Sequence, residues 1–253
     1  MATDADLKAA AEATRIFAAA STADGDAARW TDASRCVMRL LIHRIAAERG
    51  CDAPPLPVVT PPKPMTAGCR ALMRIENVAT WSAPEFGPVY EYLLTNAPGK
   101  QREKQGSWYT PPLVAEWMAR TALDIPLNRF ARSEDPGDML LVLAVAPACG
   151  AGIYPLMAAR HIATRYARRL FGQAPPEAVR AVMPEVMEEC IFGIDIDPIA
   201  VELTKAALWL EIDGSEPFGF MDRNVICGNA LDRDLPPKLA ELQAAARGAV
   251  DAP

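Results

Sequence analysis

The sequence predicts an α/β fold, an incomplete doubly wound parallel sheet, preceded by a helical N-terminal region. Three observations predict it. From residue 139 onward, short apolar runs alternate with helical patterns in the order strand, helix, strand, helix, strand. A small-residue turn, Ala146 to Gly152, sits between the first such run and the helix after it. Residues 4–50 carry apolar side chains at helical spacing and no strand pattern.

Taken in order, Ile16, Phe17, Trp30, Val37, Leu40, Leu41 and Ile45 form the stripes of two helices within residues 4–50, with Thr31 or Asp32 as the cap of the second. Cys51 to Pro64 holds six prolines and reads as an extended linker, taken as residues 51–65. A helical connector over residues 66–105 follows, with helices near Ala67–Glu76 and Gly87–Thr95. It ends in a basic turn, Asn96 to Gly106, that includes Lys100, Arg102 and Lys104. The remaining domain is 106–253. Pro111 and Pro112 suit the first turn of a helix reaching about Leu123. Met139 to Val145 is a continuous apolar run, the pattern of a strand buried on both faces. A helix is expected from Ile153 to Phe171 and another opening at Pro175-Pro176. A strand is expected at Ile191–Ile194, a helix from Pro198 to Ile212, a strand at Asn224–Cys227 and a last helix over Lys238–Arg247.

Bulk composition narrows the function classes. Of 253 residues, 51% are hydrophobic, the net charge is −6 and the sequence pI is near 5.1. Such a chain is not a strongly basic nucleic-acid module, so most of any grip on DNA must come from local patches or from elsewhere. The six cysteines include no Cys-x-x-Cys pair, and there are two histidines, His43 and His161. Reduced thiols and no zinc site are expected. The N-terminus shows no signal pattern and no apolar run is long enough for a bilayer, so a cytoplasmic protein is expected, without membrane or metal.

Three clusters carry chemistry. Glycines in Ala146-Pro147-Ala148-Cys149-Gly150-Ala151-Gly152 allow close backbone approach to a ligand, and the helix behind them offers N–H groups to an anion. A tight strand-to-helix turn without ligand has the same pattern. In Gly193-Ile194-Asp195-Ile196-Asp197-Pro198, an acid at the tip of the second strand can accept both hydroxyls of a ribose. Asp195 is assigned that role and Asp197 the helix cap. In Gly228-Asn229-Ala230-Leu231, the Asn229 amide can meet an adenine edge or simply close an Asn turn. A nicotinamide oxidoreductase fits poorly. The third fingerprint glycine is absent, and Asp195 lies far beyond the roughly 20 positions typical of that class.

Together these clusters resemble the adenine-N6 DNA methyltransferases of restriction–modification and phage-defence systems. Ser107-Trp108-Tyr109-Thr110-Pro111-Pro112 is similar to their Tyr-Thr-Pro signature, and the turn at 146–152 to their Asp-Pro-Ala-Cys-Gly-Ser-Gly. Gly193 to Pro198 with Ala200-Val201-Glu202-Leu203 and Leu208-Trp209-Leu210 resembles the next strand and helix. Gly228 to Leu231 resembles the motif after it, and Phe86 to Leu94 the lead-in. The likeness covers about residues 85–232. It implies a partial Rossmann-like, S-adenosyl-L-methionine-dependent methyltransferase sheet. Thr110, with Tyr109 beside it, would hold the methionyl end. Pro147, Ala148, Gly150 and Gly152 would form the floor under that group. Asp195 would hold the ribose, Ile196 would lie against the adenine ring and Asn229 at its edge.

Two departures qualify the implication. Ala146 stands where the family has an acid, and Ala151 where it usually has Ser. Loss of a hydrogen bond to a charged group costs roughly 1.5–3 kcal/mol, about a ten- to hundredfold in affinity. The catalytic Asn/Asp-Pro-Pro-Tyr/Phe motif is also absent. Pro-Pro occurs at 111–112, 175–176 and 236–237, among other places, and never in that context. The resemblance therefore implies a truncated or split enzyme, inactive alone and with no catalytic residue of its own. It would reach DNA through a missing C-terminal part or a partner subunit, such as a complementary methyltransferase fragment. The alternative is a non-catalytic, methyltransferase-like interaction subunit of a defence system.

Overall fold

The computed structural model describes residues 2–51, 54, 56–57, 65–99, 109–214, 219–232 and 234–241. The expected proline-rich linker, the stretch from Lys100 to Trp108 and the expected last helix beyond residue 241 lie mainly or wholly outside these. The chain forms two compact units, Met1–Pro111 with Trp209–Ser215, and Pro112–Leu208 with Glu216–Pro253.

The first unit is helical. α1 (Asp4–Ala20) starts with a capping box in which Thr3 and Asp6 satisfy each other's backbone amides at 2.7 and 3.3 Å. α2 (Asp26–Arg49) begins earlier than the sequence suggests. Its first turn follows Gly25, at φ +85°, rather than Thr31 or Asp32. A glycine reaches that conformation freely and lets the chain reverse at once after α1, so Trp30 already lies within the helix. α3 (Met65–Met73) and α4 (Ala83–Thr95) complete the unit. The amide of Ser82 donates to Glu85 at the start of α4.

Of the expected stripes, Phe17, Trp30, Val37, Leu41 and Ile45 are buried, while Ile16 and Leu40 are half-buried. The Phe17 ring occupies the space a side chain at Gly68 would need. The Trp30 indole donates to the Leu93 carbonyl at 2.9 Å. Arg49 closes the unit. Its guanidinium donates to the carbonyls of Ala79 (2.6 Å), Trp81 (2.7 Å) and Leu210 (2.9 Å).

The second unit is mixed α/β, largely helical around a small parallel sheet. α5 (Pro112–Phe130) runs past the expected end at Leu123 and through Pro126. Its buried Ala115, Ala119, Leu123 and Leu127 recur every fourth residue, a stripe that packing sustains despite the proline. The expected strand Met139–Val145 is corrected. A 3-10 turn spans Pro136–Leu141, capped by Asp135, which accepts from the Gly137 amide at 2.8 Å. The strand β1 is only Ala144–Ala146. The apolar run is real, since Met139 and Val142 are buried, but an apolar run alone does not specify extended backbone, and Pro136 at a turn start wins locally.

α6 (Ile153–Phe171) and α7 (Pro176–Cys190) lead to β2 (Ile191–Asp195), and α8 (Pro198–Glu211) follows. A short helix α9 (Gly219–Asn224) precedes β3 (Val225–Cys227), so Asn224 ends a helix rather than opening a strand. Its buried amide donates to the carbonyls of Met187, Glu188 and Ile191. The strands lie in the order β1-β2-β3, all parallel, with Ala146 opposite Gly193 and Asp195 opposite Cys227. Helices as crossovers between parallel neighbours are what this pairing requires. Among the described residues, no helix is long and apolar enough to cross a membrane, and no group of three or more His, Cys, Asp or Glu could hold a metal. All six cysteines are free thiols.

Candidate functional site

The parallel register brings three turns to the C-terminal ends of β1, β2 and β3. The turn after β1 is built around two glycines in left-handed backbone, Gly150 at φ +56° and Gly152 at φ +89°. They serve different ends. A Cβ on Gly152 would lie 2.9 Å from the Thr204 Cα, so this glycine lets α6 start hard against the backbone of α8. A Cβ on Gly150 would meet nothing within 4 Å, so the space above that peptide is open. The Cys149 amide donates to the Ile194 carbonyl (2.9 Å) and the Gly152 amide to the Cys149 carbonyl (3.0 Å). The Cys149 side chain packs tightly against Gly193, 3.1 Å from where a Cβ there would stand. Burial pushes the Cys149 thiol up to about 12.

Asp195 joins the turns. One carboxylate oxygen accepts from the Gly150 amide and the other from the Asp197 amide, each at 2.9 Å. Its main-chain carbonyl accepts from the Gly228 amide at 2.9 Å. Burial raises its carboxyl above the ordinary value, and the surrounding backbone donors only partly offset this. Asp197 caps α8, accepting from the Ile199 amide at 2.9 Å, with Pro198 at the first helical position. Ile196 stands between them, 60% exposed.

The turn after β3 holds Asn229. Its side-chain oxygen accepts from the Leu231 amide (3.0 Å), and its Nδ2 donates to Asp232 (2.7 Å). Its amide N–H donates to Asp234 at 2.8 Å. The Asn turn anticipated as one option is therefore formed, and one Nδ2 hydrogen is left over from it.

Pro147, Ala148, Gly150, Gly152, Asp195, Ile196 and Asn229 thus share one end of the sheet. Tyr109 and Thr110 belong to the first unit. There the Tyr109 ring fills the gap left by the missing side chain of Gly87, and its hydroxyl donates to the Pro84 carbonyl at 3.2 Å. The phenol is raised, chiefly by burial. Two contributors escaped the sequence reading. Gly87 stood at the start of an expected helix and in the Phe86 to Leu94 lead-in, with nothing local to name Tyr109 as its partner. Thr204 gave no signal, because a lone threonine in a helix is commonplace. A shallow cavity of about 510 Å³ in the first unit, lined by Glu12, Arg70 and Arg74 among others, gathers no nucleophile and base.

Against this geometry, the family model N-6 DNA Methylase matches residues 82–241. The chain belongs to the N-6 DNA methylase family. The match opens at Ser82, beside the capped start of α4, and runs past β3, so it takes in the Gly87–Tyr109 socket as well as the three turns. A family of DNA methyltransferases acts on DNA. No curated protein and no solved structure matches the chain.

Proposed function

We propose that these residues form the S-adenosyl-L-methionine-binding half of an adenine-specific DNA methyltransferase, with a partial Rossmann-like sheet. The observation that carries the reading is the open space over Gly150, flanked by the Asp195 carboxylate and the exposed Ile196. The residues fit such a cofactor. Each Asp195 oxygen accepts one backbone bond and keeps capacity for a ribose hydroxyl. Ile196 offers an apolar face to a purine ring, and Asn229 has an Nδ2 hydrogen for its edge. Pro147, Ala148 and Gly150 line the floor, and Gly152 acts through packing against α8 rather than through the ligand. A role for Thr110 and Tyr109, which lie in the first unit, rests on the sequence resemblance alone.

When bound, the cofactor supplies an electrophilic sulfonium methyl group for transfer to the amino group of an adenine. The chain's own residues bind and orient it. No Asn/Asp-Pro-Pro-aromatic sequence occurs in the 253 residues, so we assign adenine binding and catalysis to a complementary segment or subunit. The outer edge of β1 supports this, because no described strand pairs with it. Nearby Leu141 and Val145 are exposed, as are Leu113, Trp117 and Ile125 on α5. A place in a restriction–modification or phage-defence system rests on the sequence resemblance.

Ala146 favours a second reading, a methylase-like interaction subunit without chemistry. It is buried at the end of β1 and offers no acceptor to the methionyl ammonium. Calorimetric titration of S-adenosyl-L-methionine into the chain and its Ala146→Asp and Asp195→Ala variants separates the two. Micromolar binding abolished by Asp195→Ala supports the first reading. Binding that appears only in Ala146→Asp supports the second, and binding by no variant refutes the cofactor assignment.

A further inference from the structure

Four helical threonines turn their hydroxyls back onto their own helix. Thr14 donates to Ala10, Thr31 to Ala27, Thr95 to Glu91 and Thr164 to Arg160, each to the carbonyl four residues earlier. Thr204 departs from this habit. It is fully buried on α8, and its hydroxyl donates out of the helix to the Gly150 carbonyl at 2.8 Å. The Gly150 amide is held from the other side by Asp195 at 2.9 Å. Two side chains from different elements therefore fasten one residue in left-handed backbone, where no atom packs over its Cβ position to keep it there.

The direction of the carbonyl matters. In a trans peptide, C=O and the following N–H point in opposite directions. Drawing the Gly150 oxygen inward to Thr204 turns the Ala151 N–H outward, away from α8 and toward the open side of the turn. Among the described residues no acceptor takes that N–H. Gly152 makes the arrangement feasible, since its missing Cβ lets the Thr204 backbone approach.

We propose that Thr204 is a positioning residue of the cofactor turn, orienting the Ala151 amide to donate to the carboxylate of the cofactor's methionyl group. This rests on the reading that the turn binds S-adenosyl-L-methionine. It assigns to α8, through Thr204, control over recognition of the amino-acid end alone.

The test compares Thr204→Val, which keeps shape and loses the hydroxyl, with Thr204→Ser, which keeps it. Each full chain is titrated with S-adenosylhomocysteine and with 5′-methylthioadenosine, which lacks the amino-acid carboxylate. Amide hydrogen exchange of the 148–152 turn is measured without ligand. Thr204→Val is expected to weaken S-adenosylhomocysteine about tenfold, the order of one lost hydrogen bond to a charged group, and to leave methylthioadenosine unchanged. Thr204→Ser restores binding, and exchange at Gly150 rises in Thr204→Val only. Equal weakening of both ligands, or unchanged binding in Thr204→Val, overturns the proposal. If the unsubstituted chain binds neither ligand, the cofactor reading fails. Exchange at Gly150 then decides the clamp by itself, and no change in Thr204→Val refutes it.

Discussion

The two glycines of the turn after β1 make a paired prediction, because the same substitution acts on them in opposite ways. At Gly152 an added methyl meets two penalties. Left-handed backbone, φ +89°, costs a non-glycine residue roughly 1–2 kcal/mol. A Cβ 2.9 Å from the Thr204 Cα must also push helix backbone aside, and overpacking of this kind costs about 1–3 kcal/mol. Gly152→Ala is thus expected to lose about 2–5 kcal/mol, lowering the melting temperature by roughly 5–20 °C for a unit of this size. At Gly150, φ +56° brings only the backbone penalty, roughly 1–2 kcal/mol, since nothing lies within 4 Å of the new methyl. That methyl stands instead in the space assigned to the cofactor. Gly150→Ala is expected to melt only about 2–8 °C below the unsubstituted protein, less than Gly152→Ala, but to bind S-adenosyl-L-methionine at least tenfold more weakly. Thermal unfolding by circular dichroism and calorimetric titration read the two effects separately. If Gly150→Ala is the less stable variant, or binds cofactor normally, the division of labour between the glycines is wrong.

Further predictions concern both units. Arg49→Ala removes a donor to three carbonyls and is expected to destabilise by about 2–4 kcal/mol, with hydrogen exchange rising at the end of α8, as mass spectrometry will read. Gly87→Ala places a methyl 2.4 Å from the Tyr109 ring. A double-mutant cycle should show it costly alone and nearly neutral with Tyr109→Ala, and additivity would contradict the socket. Cys227 is exposed, whereas burial holds Cys149 and Cys190 up at about 12. Under native conditions at pH 8, a maleimide should therefore label Cys227 but leave Cys149 and Cys190 unmodified until unfolding. The Asp195 carboxyl should titrate, by carbon-detected NMR, above the ordinary 3.8. Its folded pKa is raised, so in the interval between that ordinary value and the folded one the folded state binds more protons. Asp195's contribution to stability falls as pH rises through that interval.

Much of the second unit was legible because its signals are local and redundant. Ile153–Phe171 has a helical stripe starting at glycine and ending at Gly172, and the structure gives those limits. Ile191–Asp195 is apolar, short and bounded, so it too was readable to within one residue. Met139–Val145 was misread because burial and extension are different properties, and Pro136 with the Asp135 cap selects a turn there. The start of α2 was placed late because a polar residue before an apolar stripe resembles a cap, while the true signal was one glycine, Gly25. At the candidate site, the turns that follow the strands were readable and the bonds between them were not. Asp195 binding the Gly150 amide depends on β1 and β2 being neighbours in register, and Thr204 on the height at which α8 packs. Local sequence does not encode either.

The first unit is discontinuous, and this has a consequence for biosynthesis. Residues Trp209–Ser215 belong to it although the strands β1 and β2 of the second unit are made before them. The Leu210 carbonyl that Arg49 awaits lies 161 positions downstream. At synthesis rates of about 5–20 residues per second, that separation amounts to roughly 10–30 s. Over that time the N-terminal helices leave the ribosome with a guanidinium two-thirds satisfied and a seam not yet closed. A chain released early, before residue 209, would leave that seam open and offer chaperones and proteases a surface the finished protein conceals.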